Sequence, residues 1–165
     1  MARREFHLVL AMLALVGCRA ERRPEPPAKP AATFEGLPLS GNLATAVAAG
    51  FGNCLDGTRG LRCRKDGVML MGVGPLSAAV DLDVPAKAGE PRFDHVTIWH
   101  ARDQSAVLEL SPLLAKAGWR SCLTPDAERF WRPPSPLRIA IDTNYWGSRR
   151  LILSAPPSGA ARYCP

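Results

Sequence analysis

Ala49-Gly50-Phe51-Gly52-Asn53-Cys54 and Ala117-Gly118-Trp119-Arg120-Ser121-Cys122 share one pattern, repeated 68 residues apart: alanine, glycine, an aromatic residue, two further residues, then cysteine. A glycine after a run of helix-forming residues takes the left-handed conformation that closes a helix C-terminus. The aromatic residue that follows can fold back onto the last turn, Phe51 toward Ala46 and Trp119 toward Leu114. The pattern therefore predicts two helix ends. The first helix is expected over residues 39–49, with Ser40 or Asn42 near its start as cap. The second is expected over residues 104–117 with Asp103 as N-cap. Its apolar positions Ala106, Val107, Leu110, Leu113, Leu114 and Ala117 recur at helical spacing. Pro112 lies off that stripe and is expected to kink the helix. The cysteine at the same offset points to a duplication.

Strand-like segments follow each helix end. After the first come residues 68–73, 77–83 and 92–99; after the second come 128–132, 137–145 and 150–154. Ala78, Val80 and Leu82 alternate with Ala79, Asp81 and Asp83. Leu137, Ile139 and Ile141 alternate with Arg138, Ala140 and Asp142 in the same way. A period of two places one set inward. Trp146-Gly147-Ser148 reads as a hairpin turn before the last strand. The expected class is α+β: an antiparallel sheet with two helices on one face, in the order α-β-β-β-α-β-β-β. The two repeats would cover about residues 39–100 and 104–165 of one domain. That layout is similar in outline to the tandem α/β fold of the β-lactamase-inhibitor-like proteins, which include small outer-membrane lipoproteins. The resemblance rests on element order, with one helix per repeat here where the family has two. It implies a fold and transfers no functional residue.

The N-terminus carries different information. Arg3 and Arg4 precede an apolar run from Leu8 to Val16. The run is too short to span a bilayer but suits the core of a signal peptide. It ends in Leu15-Val16-Gly17-Cys18, which resembles the lipobox of bacterial lipoprotein precursors. The resemblance implies removal of residues 1–17 and attachment of diacylglycerol and palmitate-type chains to Cys18. Several acyl chains at one point anchor a protein stably, where a single chain does not. Arg19 stands where the inner-membrane retention pattern has aspartate. The resemblance therefore places the mature protein at the periplasmic side of the outer membrane, or on the cell membrane of a single-membrane bacterium. Arg3-Arg4-Glu5-Phe6 also resembles a twin-arginine signal, so both export routes stay open. Residues 18–38 combine the lipidated cysteine with Pro24, Pro26, Pro27, Pro30 and Pro38 and read as a stalk.

The formal charge of +6 falls by one unit when Arg3, Arg4 and Glu5 leave with the signal peptide. A mild positive balance favours anionic surfaces and keeps a small domain soluble. Cys54, Cys63, Cys122 and Cys164 form an even set in an oxidising compartment, which predicts two disulfides. Proximity favours Cys54–Cys63, and Cys122–Cys164 would then clasp the C-terminus. No CxxC pair or zinc spacing is present, and no cofactor motif appears. Gly72-Val73-Gly74-Pro75 reads as a turn and not a phosphate cradle.

Asp94, His95, His100 and Asp103 cluster in sequence. On one strand His95 and His100 would face opposite ways and could not chelate together. No G-x-S-x-G elbow accompanies them. Asp81, Asp83 and Asp142 are expected to pair with Arg138 and Arg150 across the outer face. The most suggestive surface combines Trp131 and Trp146 with Arg129, Arg132, Arg149 and Arg150, a hot-spot composition. Trp99, Trp119 and Tyr145 are expected mostly in the core. The expected function is non-enzymatic: capture of an envelope protein or cell-wall polymer, with no nucleic acid, metal or cofactor. A structural or stress-related envelope component and a hydrolase built on His95 or His100 are the rivals.

Overall fold

A computed structural model describes residues 32–57, 60–83, 89–143 and 149–155. The lipobox, Tyr145, Trp146, Cys164 and the expected turn at residues 146–148 lie outside these segments.

The chain starts with a two-stranded hairpin, β1 (Thr33–Phe34) and β2 (Leu37–Pro38), inside the stretch read as stalk. Glu35 and Gly36 both have positive φ, the signature of a tight hairpin turn. Leu37 and Leu39 drop into the core, so the apolar end of the stalk is part of the fold. Helix α1 then covers Leu43–Ala48, later than expected, because Asn42 and not Ser40 caps it. The Asn42 side chain accepts the Thr45 amide at 2.9 Å, and Thr45 Oγ1 accepts the Asn42 amide at 3.3 Å. The Asn42 amide group also donates to Glu90 at 3.0 Å, tying the cap to the approach of the fourth sheet strand. Asn42→Ala is expected to cost about 1–2 kcal/mol, with Asn42→Ser recovering most of it. Denaturant midpoints of the three proteins would check this.

The rest forms one antiparallel sheet of eight strands. Its members are β3 (Gly52–Asp56), β4 (Gly60–Leu70), β5 (Val73–Asp83), β6 (Arg92–Trp99), β7 (Arg120–Leu123), β8 (Ala127–Trp131), β9 (Arg138–Asp142) and β10 (Leu151–Ser154). Helix α2 (Leu110–Lys116) lies between β6 and β7. The spatial order is β3-β4-β5-β6-β10-β9-β8-β7. Each half is a four-stranded meander, and the two last strands, β6 and β10, join the halves antiparallel.

The mixed α+β class with a mostly antiparallel sheet holds. The expected order does not: each helix is followed by four strands, not three. The missing strands are β3 and β7, which begin directly at the two repeated glycine-aromatic ends and lie at the two sheet edges. The segment 68–73, expected to be one strand, is a hairpin tip. The chain reverses at Met71 and Gly72, both with positive φ, and β4 and β5 extend from it in opposite directions. Gly74 and Pro75 belong to β5 and not to a turn.

The second helix is also shorter than expected. Pro112 lacks an amide hydrogen and clashes with the carbonyl four residues back, so it fits only a first turn. The helix starts at Leu110 accordingly, and Ala106 and Val107 are buried from a turn that precedes it. Asp103 caps no helix; its carboxylate accepts the Ser105 amide at 2.8 Å.

Both helix ends close alike. Gly50 and Gly118 have φ of +87° and +82°. The Phe51 amide donates to Ala46 O at 3.0 Å and the Trp119 amide to Leu114 O at 3.0 Å, with Gly50 and Gly118 bonded to Val47 and Ala115. That is the paired 6→1 and 5→2 pattern of a left-handed helix cap.

Strand alternation divides the sheet into two faces. On one, Phe130, Ile139, Leu153, Val96, Val80 and Cys63 are register neighbours in a single row across six strands. All are essentially inaccessible. They share one hydrophobic cluster with Ala46 of α1, Leu110 and Leu114 of α2, Phe51 and Trp119.

Candidate functional site: the polar face of the sheet

The opposite face carries the charges. One register row runs across all eight strands as Arg120, Trp131, Arg138, Ser154, His95, Asp81, Arg62 and Leu55. The next row contains Arg129, Ala140, Ile152, Thr97, Ala79 and Arg64. Its middle is floored by small or apolar side chains and each end carries an arginine. Adjacent strands lie about 4.8 Å apart, so the two guanidinium-bearing strands are separated by roughly 24 Å. Arg150 and Trp99 extend the same face beyond this row. These six arginines share the face with Asp81, Asp83, Asp126 and Asp142. Ala79 and Thr97 are buried, but neither belongs to the main hydrophobic cluster.

Three recesses lie on this face; one, of about 370 Å³, is lined by Arg62, Asp81, Asp83, Asp94 and His95 among others, and the other two are lined in part by the floor residues. The first of these two holds about 270 Å³ and is lined by Asn53, Leu55, Arg62, Arg64, Ala79, Trp99 and Arg150. The Arg64 guanidinium stacks over the Trp99 ring at 5.0 Å. Arg62 makes one contact with Asp81 at 3.1 Å. The second recess, about 530 Å³, is lined by Pro125, Asp126, Ala127, Arg129, Ala140, Asp142 and Ile152. Here the cation is already matched: Arg129 meets Asp126 at 3.2 Å. The Thr124 hydroxyl donates to Asp126 at 2.7 Å. That hydrogen bond, helped by a backbone amide and by Arg129, holds the Asp126 carboxyl below its ordinary range.

His95 sits between two carboxylates. Its Nδ1 lies 2.7 Å from Asp94 and its Nε2 3.2 Å from Asp81. Asp81 Oδ2 is closed off from solvent and gains no well-aligned hydrogen bond. The Asp94 contact is a hydrogen bond, whereas Nε2 lies near Asp81 Oδ2 without an aligned one, and the half-buried ring lines a recess shared with Asp81, Asp83 and Asp94. His100 uses Nδ1 to accept the Asp103 amide at 2.7 Å. Among the described residues no group of three His, Cys, Asp or Glu is placed to hold a metal ion. None of their helices is long and apolar enough to cross a membrane as a helix, which leaves strand-based crossing unaddressed.

The residues singled out in the sequence fall in different places. Cys54 and Cys63 form a disulfide between β3 and β4, with Cα atoms 4.0 Å apart. Cys122 is also disulfide-bonded, and the expected partner Cys164 lies outside the described residues. A break in register between Gly52 and Leu55 lets Cys54 meet Cys63, which faces the core. No such break occurs in β7, so Cys122 pairs in register with Arg129 on the polar face. Trp131 is half-buried on the polar face, but Arg132 turns the other way. Its guanidinium stacks over the core residue Trp119 at 4.9 Å and donates to Ala117 O at 3.0 Å. Arg149 is half-buried and Arg150 exposed. The expected patch is thus divided between the faces. The ion pair of Asp81 is with Arg62 on the neighbouring strand, not with Arg138 or Arg150. Arg62, Arg64, Trp99 and Leu55 were not grouped by the sequence, because three strands and a shifted register separate them. No family model, no curated protein and no solved structure matches the chain.

Proposed function

We propose that the protein is an exported lipoprotein, anchored through Cys18 on the periplasmic side of the outer membrane, with a non-enzymatic binding or assembly role. In this reading the polar face of the sheet is the binding surface. The observation that carries it is the composition of that face: six arginines, Trp99 and Trp131 over a floor of small side chains. Aromatic and arginine side chains in such a setting contribute disproportionately to binding. Trp131 and Arg150 remain members of the surface. Trp146 and Arg149 are added candidates, whereas Arg132 packs on Trp119 on the other face.

The finer fold reading belongs here too. Both helices supply the same hydrophobic cluster, which supports their lying on one side of the sheet. The matched helix ends, and the correspondence of Arg64-Ala79-Thr97 with Arg129-Ala140-Ile152 about the β6–β10 seam, support an internal duplication. A Cys122–Cys164 disulfide completes the proposed framework.

A photoreactive amino acid at position 55, in the lipidated protein in its own membranes, tests the functional reading. Reproducible adducts from position 55 and none from position 116, an exposed site on α2, are expected. Equal labelling from both positions, or none from either, would sink it in favour of a structural component.

A further inference from the structure

We propose that the recess bounded by Leu55, Arg62, Arg64, Trp99 and Arg150 receives an acidic segment of a protein partner. This rests on the polar face being the binding surface and names what it binds.

The two recesses over the floor residues differ in charge. Arg129 in the second is matched by Asp126, and Asp142 lies beside it. The first is lined by three arginines and no carboxylate. Arg62 spends one contact on Asp81, and the fork geometry of a guanidinium leaves further donors. Arg64 holds Trp99 by stacking and reaches Asp66 only at 3.6 Å, with both side chains well exposed. Such an exposed pair contributes little and is readily exchanged. Arg150 is exposed and has no ion pair among the described residues. The first recess therefore carries more cationic charge than its two ion pairs offset, and the ligand that complements it is anionic.

The side chains also select among anions. At about 270 Å³ the recess lies below the range of roughly 300–1,000 Å³ usual for small-molecule sites, and it suits one or two side chains. All three cations are arginines, whose planar fork matches a carboxylate in bidentate fashion. Leu55 is 73% exposed and stands at the rim beside half-buried Trp99. A polyanion gains nothing from an exposed leucine. A peptide does, because an apolar side chain flanking its glutamate or aspartate can cover Leu55 and the Trp99 ring. Burying that apolar surface adds to the ion pairs.

The test uses the full lipidated chain in detergent and a fluorescein-labelled decapeptide of alternating glutamate and leucine. The controls are the same peptide with glutamine for glutamate, inorganic polyphosphate, and phosphatidylglycerol vesicles. The glutamate peptide is expected to bind at least about tenfold more tightly than the glutamine peptide. Arg64→Glu and Arg150→Glu should each lose about tenfold or more, Arg64→Gln less, and Arg92→Glu, exposed outside the recess, almost nothing. Far-ultraviolet circular dichroism of each variant separates lost binding from lost folding. Polyphosphate or vesicles binding as tightly, with the same loss in the variants, would overturn the commitment to a protein ligand. Arg92→Glu weakening as much as the recess variants would overturn the site. Failure of every probe while position 55 still crosslinks would overturn the acidic class alone and leave the polar face standing as the binding surface.

Discussion

Leu153→Ala is expected to remove about 3 kcal/mol of stability and lower the thermal midpoint by about 10 °C. Leu153 is on β10, the strand where the second half of the sheet meets β6 of the first. Its register neighbours are Val96 on one side and Ile139 on the other. All three side chains are fully buried. Truncation leaves a hole in a buried row that joins both halves. Walls fixed by two different strands close such a hole poorly, and the cavity adds to the transfer cost. The side chains on either side of the seam belong to one cluster, so the wild type and the variant should each unfold in a single transition. Tryptophan fluorescence and far-ultraviolet circular dichroism followed in urea would show coincident curves. Two separated transitions would mean that the halves are independent units, and a loss below about 1 kcal/mol would mean that the seam carries little of the core.

The sequence announced some of this architecture and concealed the rest for identifiable reasons. Residues 92–99 form β6 as expected, and 77–83 lie within β5, since a half-buried strand shows its period of two. The helix ends were equally legible because a glycine-aromatic pair closes a helix through backbone geometry alone. Edge strands gave no such signal. β3 is exposed along most of its length, and Arg62 to Asp66 of β4 read as a polar stretch although Cys63 among them is fully buried. β3 has one neighbour and needs no apolar alternation, and β4, paired on both sides, carries charge on its polar face. Pro112 was read as a kink in a long helix; its missing donor instead fixes where a short one begins. The candidate site was the least legible part. Leu55, Arg62, Asp81 and His95 share a row only after three turns and several breaks in register set the pairing. Arg132 was grouped with Trp131 by adjacency, and adjacency on a strand means opposite faces.

Cys18→Ala is expected to move the protein completely from the membrane fraction to the soluble fraction without unfolding it. The unaltered protein should sediment with membranes, resist a high-salt wash and carry the mass of a diacylglyceryl group and further acyl chains at Cys18. Two or more chains give an anchor that salt does not reverse, whereas attraction between a mildly basic domain and anionic lipid is screened within about 8 Å at physiological ionic strength. Salt-sensitive attachment, or attachment surviving in Cys18→Ala, would count against the lipid anchor. The same residue bears on the disulfides. A thiol consumed in a thioether has none left for a disulfide, and Cys54 and Cys63 already hold each other. Cys122 is bonded, and the chain has five cysteines. If Cys18 carries lipid, only Cys164 remains as the partner. A non-reducing peptide map should therefore yield a Cys122–Cys164 peptide together with a lipid-bearing N-terminal one. A Cys18–Cys122 peptide would instead remove the anchor and the clasp in one measurement, because the two proposals share a single thiol.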